Sequence, residues 1–191
     1  MGEVQRIFYF HVSAAWVGFF AFFVVFLGGI FYLRSREIRW QITARASAEI
    51  GVIFSTFVLG SGMFWGRAAW NVWWTWDPRL TTTLIMWFIY IGYLFLDFAG
   101  GRQAKSRQTL TAIYGILAFI NIPLVFMSIR WWRTLHPAVI GGNGGGLTPR
   151  MIHTLIFTLI VFSLLYFVLM SIRRRQLFLQ ERIELLRQKM E

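Results

Sequence analysis

Chemistry in this 191-residue chain has few carriers: three histidines, eight carboxylates and no cysteine. The densest run of unusual residues is WGRAAWNVWWTWDPRL, residues 65–80, which holds five of the ten tryptophans: Trp65, Trp70, Trp73, Trp74 and Trp76. Indole is flat and polarisable and carries one N–H donor. It therefore suits either a membrane–water boundary or the face of a planar ligand. A boundary belt needs only one or two tryptophans per helix end, and at this density a belt and a cofactor or partner platform are equally good readings. Asp77 has three uses on sequence alone. It can cap the helix that Pro78 begins, pair with an outer arginine, or accept from an indole or a ligating histidine. The absence of cysteine excludes disulfides, thiolate metal sites, iron–sulfur clusters and C-x-x-C-H attachment within this chain. With no catalytic triad, phosphate loop or paired acids, hydrolysis by the chain itself is not expected.

What must position these residues follows from composition. The chain is 57% hydrophobic and 14% charged, with mean hydropathy +0.58. A soluble domain of this size could not bury that much apolar surface, so lipid covers part of it. Five apolar runs are each long enough for the about 20 helical residues that cross a bilayer. They extend over about 8–33, 46–64, 80–99, 110–129 and 151–172. The expected fold is all-α: an integral membrane bundle of about five transmembrane helices over 1–172, followed by a basic tail over 173–191. The first run lacks a small-residue cleavage site and reads as a retained span.

The net charge of +11 does not indicate nucleic acid, because the basic residues sit in short segments between apolar runs. Thirteen of them fall on one side: Arg34, Arg36, Arg39 and Arg45, then Arg102, Lys105 and Arg107, then Arg173, Arg174, Arg175, Arg182, Arg187 and Lys189. Six fall on the other: Arg6, Arg67, Arg79, Arg130, Arg133 and Arg150. The larger group marks the cytoplasm. The amino terminus, the Trp-rich segment 65–80 and the loop 130–150 then face outward, with the carboxyl terminus cytoplasmic.

Local signals add detail. Asn121 and Pro123 predict a bend in the fourth run, and 141–146 is a glycine-rich stretch without packing side chains. Thr148-Pro149 offers a cap and a first-turn proline for the fifth helix. Glu49 and Asp97, on the cytoplasmic halves of their spans, are expected to pair with Arg45 and Arg102. The tail after Ile172 has apolar spacing suited to a helix lying on the inner surface or meeting a partner.

This topology puts His11, near the outer end of the first span, on the same side as His136 in the second outer loop. Either histidine alone is more commonly a polar interfacial residue. Two neutral imidazoles on one side, beside a tryptophan cluster, favour the two axial positions of a haem iron. Arg67, Arg79, Arg130 and Arg133 could pair with haem propionates or with lipid phosphate. His153 opens the fifth span on the same face and reads as a helix-end histidine or a further ligand. Two other functions compete. A b-type electron-transfer cytochrome would need a second haem towards the cytoplasm, whereas all three histidines lie outward. A haem-permease subunit would need a polar pathway or paired broken helices, and neither is evident.

Three blocks then carry a resemblance. WGRAAWNVWWTWDPRLT resembles the WWD signature of haem-handling proteins, most specifically the CcmC branch of the cytochrome c maturation system. QRIFYFHVSAAW around His11 and WWRTLHP around His136 match the same branch, in the same order. The resemblance implies that His11 and His136 are the haem ligands and that Trp65, Trp70, Trp73, Trp74, Trp76 and Asp77 form the haem-presenting platform. It also implies non-covalent haem b held in transit at the outer face of a bacterial inner membrane and loaded onto the chaperone CcmE. CcmA, CcmB and CcmD would be neighbours, and ATP hydrolysis would belong to CcmA. The family pattern includes a further amino-terminal span; this sequence shows five apolar runs and begins close to the first histidine block.

Overall fold

The computed structural model describes residues 4–98, 105–136 and 147–190, and all regular structure among them is helical. Helices α1 (Gln5–Ser35), α2 (Ile38–Trp70) and α3 (Pro78–Phe98) are followed by α4 (Lys105–Ala118), α5 (Asn121–Trp131) and α6 (Pro149–Met190). With α4 and α5 counted as one crossing, five segments are long and apolar enough to span a membrane. The expected count holds. Arg102 and the 141–146 glycine stretch lie outside the described residues.

α1 and α2 form the central hairpin. The chain reverses at Arg36, whose backbone is left-handed (φ 59°) and whose N–H returns to the Tyr32 carbonyl at 2.8 Å. The Arg36 guanidinium holds this turn against Thr109 at 2.7 Å. Small residues let the two helices approach closely, as van der Waals packing in lipid requires. A Cβ on Gly28 would come within 2.9 Å of the Ala44 Cβ, and one on Gly51 within 2.6 Å of the Phe22 ring.

Two apolar clusters flank this hairpin. One joins α1 and α2 to α6 through Val17, Ile50, Phe54, Tyr166 and Leu177. The other joins them to α3, α4 and α5 through Phe22, Val25, Tyr90, Ala118, Ile122 and Val125. Phe22 stacks flat on Tyr90, with ring centroids 3.5 Å apart. A buried polar tie crosses the first cluster. Ser47 Oγ donates to the Ala21 carbonyl at 2.7 Å, so the Tyr166 hydroxyl donates to Ser47, at 2.8 Å. The outward face of α6 carries exposed Phe157, Leu164 and Phe167, the surface lipid must cover.

The bend expected near Pro123 is a full break between α4 and α5. Proline has no N–H to return to the Phe119 carbonyl four residues back. That carbonyl instead accepts from the Ile122 N–H at 3.0 Å, closing a tighter turn. At its other end the chain shows no break where the apolar run stops. α6 continues through Ile172 and Arg173 to Met190, 42 residues in all, so the basic tail extends the span.

The intramembrane acids are paired more broadly than expected. Arg45 reaches Glu49 at 3.1 Å and Asp97 at 3.0 Å, linking α2 to α3. Arg173 adds a bidentate contact to Glu49 and brings in α6, with Nη2 3.0 Å from Oε1. Removing one member of a largely buried ion network leaves uncompensated charge, which outweighs the worth of an exposed pair. Glu49→Ala should therefore lower the stability of the solubilised protein by about 2–4 kcal/mol. Glu37→Ala, at the exposed Arg39 pair, should cost less than about 1 kcal/mol. Paired thermal unfolding curves test this, and equal shifts would contradict it.

Candidate functional site

Every site residue singled out in the sequence, His153 included, lies at one end of the bundle, opposite the Arg45–Glu49–Arg173 network. Between α1, α2, α3 and α5 this end opens into a cavity of about 450 Å³. Its walls include His11, Trp65, Trp70, Trp74, Arg79, Arg130 and His136.

His11 sits in the second turn of α1. Its Nδ1 lies 3.0 Å from Ser61 Oγ on α2, and the Ser61 hydroxyl donates to the Val58 carbonyl at 3.3 Å. Ser61 thus engages the ring through Nδ1 and leaves the Nε2 edge without a contact to this serine. A partner on the second ring nitrogen is the kind of support that orients a metal-binding imidazole. Gly62 makes room for the ring, since a Cβ there would stand 3.2 Å from His11 Cε1.

His136 lies beyond the end of α5 and is positioned by Asp77. Oδ1 of Asp77 accepts from the Arg79 N–H at 2.9 Å, which caps α3. The same oxygen accepts from the Thr134 hydroxyl at 2.7 Å, and Oδ2 accepts from the Leu135 N–H at 2.7 Å. The His136 N–H closes the chain onto Thr134 Oγ1 at 3.1 Å. Burial alone would raise the Asp77 pKa, but the hydrogen bonds from Thr134, Leu135 and Arg79, with the nearby His136, hold it below the ordinary value. Of its three sequence readings, capping is realised, and the carboxylate additionally binds the histidine loop.

The two imidazoles both line this cavity, with ring centroids 6.4 Å apart and planes inclined by 35°. One metal bonded at about 2 Å to a nitrogen of each ring brings imidazole centres to about 6 Å apart. The spacing of the two rings therefore fits a metal shared between two imidazole nitrogens. The Trp65 indole N–H, buried in the same wall, has no acceptor among the described residues. It offers a donor to a bound polar group.

The five tryptophans divide. Trp65 packs edge-on against Trp70 at 5.0 Å and, with Trp74, lines the cavity. Trp73 and Trp76 are 51% and 75% exposed and lie outside the lining. The segment folds back at Asn71, left-handed at φ 60°, whose carbonyl accepts from Arg67 at 2.6 Å. The arginines divide too. Arg79 reaches across the cavity wall to the Val125 carbonyl at 3.4 Å, and Arg130 sits at the mouth. Arg67 and Arg133 are exposed and outside the lining, as is His153. Ser61, Gly62 and Thr134 hold the histidines and were not singled out in the sequence. The only hint was Gly60-Ser61-Gly62, small residues interrupting an apolar run.

Five spans and an aromatic, histidine-lined cavity define a multi-pass membrane protein with a candidate ligand site at one end of its bundle. The comparisons with known proteins narrow this class. The chain belongs to the CcmC family, whose model, described as heme exporter protein C, matches residues 1–189. It is 32% identical to a ccmC-like mitochondrial protein of Marchantia polymorpha named for cytochrome c biosynthesis, over 93% of this chain and 75% of that one. It is also 32% identical to the heme exporter protein C of Bradyrhizobium diazoefficiens (85% and 64%). A third relative, the heme exporter protein C of Escherichia coli K12, is 32% identical over 93% of this chain and 72% of its own length.

Asp77→Ala should release the 134–136 segment without unfolding the bundle. In hydrogen exchange at neutral pH, the Leu135 and His136 amides should lose at least about tenfold protection, since each forfeited bond to a carboxylate is worth about 1.5–3 kcal/mol. The sign with pH follows from the lowered pKa. The tie is complete above the unfolded value near 3.8 and is lost only as pH falls below it, through the folded value. Unprotected amides in the wild-type chain at pH 5 would contradict this.

Proposed function

We propose that the cavity binds haem b non-covalently as cargo, with His11 and His136 as the two axial ligands of its iron. The observation that carries this reading is the imidazole pair, 6.4 Å apart across an aromatic cavity. Family membership supports it by making haem the cargo class. The chain's residues then have separate tasks. Ser61 orients the His11 ring through Nδ1 and leaves Nε2 for the iron. Asp77 sets the loop that carries His136. Trp65, Trp70 and Trp74 exclude water and stack on a planar face or edge. Arg79 and Arg130 supply cations for propionates, and the Trp65 N–H is a further donor to them.

We further propose that this end of the bundle faces the periplasm, because by sequence thirteen of the nineteen basic residues belong to the segments that mark the cytoplasmic side. Exposed Trp73 and Trp76, with Arg67 and Arg133, then form the rim on which a haem-accepting chaperone, CcmE, docks. Haem is handed over there, while CcmA, CcmB and CcmD act as neighbouring subunits and CcmA hydrolyses ATP.

Replacing either His11 or His136 with Ala should abolish or strongly alter the haem absorption of the purified protein. Unchanged spectra in both variants would reject the ligand assignment. Ser61→Ala should keep the ligand but weaken haem binding by about tenfold or more, the effect of losing an orienting partner. Replacing Trp73 and Trp76 together should slow loading of the purified chaperone while leaving the haem absorption of the purified protein in place; normal loading would make that pair an interfacial belt only.

A further inference from the structure

Beyond Ile172, α6 carries two different faces. At about 100° per residue, Leu177 and Glu181 lie on one side and are buried, Leu177 within the cluster that contains Ile42 of α2. The opposite side carries Ile172, Leu179, Ile183, Leu186 and Met190, spaced 7, 4, 3 and 4 residues apart. These five are between 49% and 79% exposed. That is the a/d spacing of a coiled-coil seam, on a helix that has already left the apolar run. About 18 residues at 1.5 Å each carry it roughly 27 Å further along the axis of the span.

Charge decides what covers this seam. Arg175, Arg182 and Lys189 recur every seven residues along one flank, Gln180 and Arg187 line the other, and Gln176 fills the one polar position of the seam itself, seven residues before Ile183. The acids Glu181 and Glu184 lie towards the bundle side. The Arg182 guanidinium also covers the Phe178 ring, 4.9 Å from its centroid. Two copies in one membrane would present their tails in parallel. Parallel pairing sets Arg182 of one copy against Arg187 of the other, a like-charge contact at the positions that choose partners. A lipid surface is disfavoured because the helix is continuous with its span and runs out of the bilayer.

We propose that the 172–190 face of α6 is a docking seam for a different polypeptide, an amphipathic helix with apolar seam residues and acidic flanks. The seam is independent of the haem reading and stands at the opposite end of the bundle.

The test uses the full chain in phosphatidylcholine nanodiscs and a synthetic helix of about four heptads with leucine at a and d and glutamate at e and g. Fluorescence anisotropy should show saturable binding that weakens with salt. A lysine-flanked counterpart should bind at least about tenfold more weakly, and Ile183→Asp/Leu186→Asp should lose binding while keeping its helix content. Absent binding, equal binding of both peptides or binding retained by the double variant would overturn the proposal. Two further readouts can overturn it. Leu186→Cys, the only cysteine in the chain, carries a polarity-sensitive dye. A blue shift in anionic nanodiscs without peptide would assign the face to lipid. A doubled mass by light scattering, abolished in the double variant, would assign it to a second copy.

Discussion

The Asp77 carboxylate is the constraint on which this end of the molecule depends. Its two oxygens start α3, hold the Thr134 hydroxyl and hold the Leu135 amide. The residues involved are 57 and 58 positions apart. Without that tie the loop bearing His136 would have only its own local turn to define it. With the tie, the tryptophan segment that ends at Asp77 and the histidine loop become one structure. Acidic and aromatic residues thus act as a pair: tryptophans shape the wall, and the carboxylate sets where the second imidazole stands within it.

On the other side of the cavity the support is quieter. His11 relies on a serine hydroxyl that also contacts a backbone carbonyl, and on a glycine that leaves space for the ring. Neither residue is chemically conspicuous. One imidazole is thus held from a rigid helix and the other from a loop anchored by a charged group.

Much of this was legible in the sequence because lipid imposes simple rules. Apolar length gave the five spans, basic residues gave their alternation, and Asp77-Pro78 announced the start of α3. The shared end of His11 and His136 followed from alternation alone. Other features depend on rotation about helix axes or on distant contacts. Trp73, Trp74 and Trp76 lie in a loop with no periodicity, so their sequence spacing could not divide cavity wall from exposed rim. Arg173 reads as a topology signal after a span, and its bond to Glu49, 124 residues away, has no local trace. Ser61 looks like an isolated polar residue until His11, fifty positions earlier, packs against it.

The two apolar clusters share α1 and α2 but otherwise recruit different helices. His11 belongs to the central hairpin, while His136 hangs from α5 and is tied to the first turn of α3. The gap between the imidazoles is therefore a property of the seam between two packing units. A small tilt of α3 and α5 against the hairpin would widen or narrow that gap, like the jaws of a vice, while every helix kept its own hydrogen bonds.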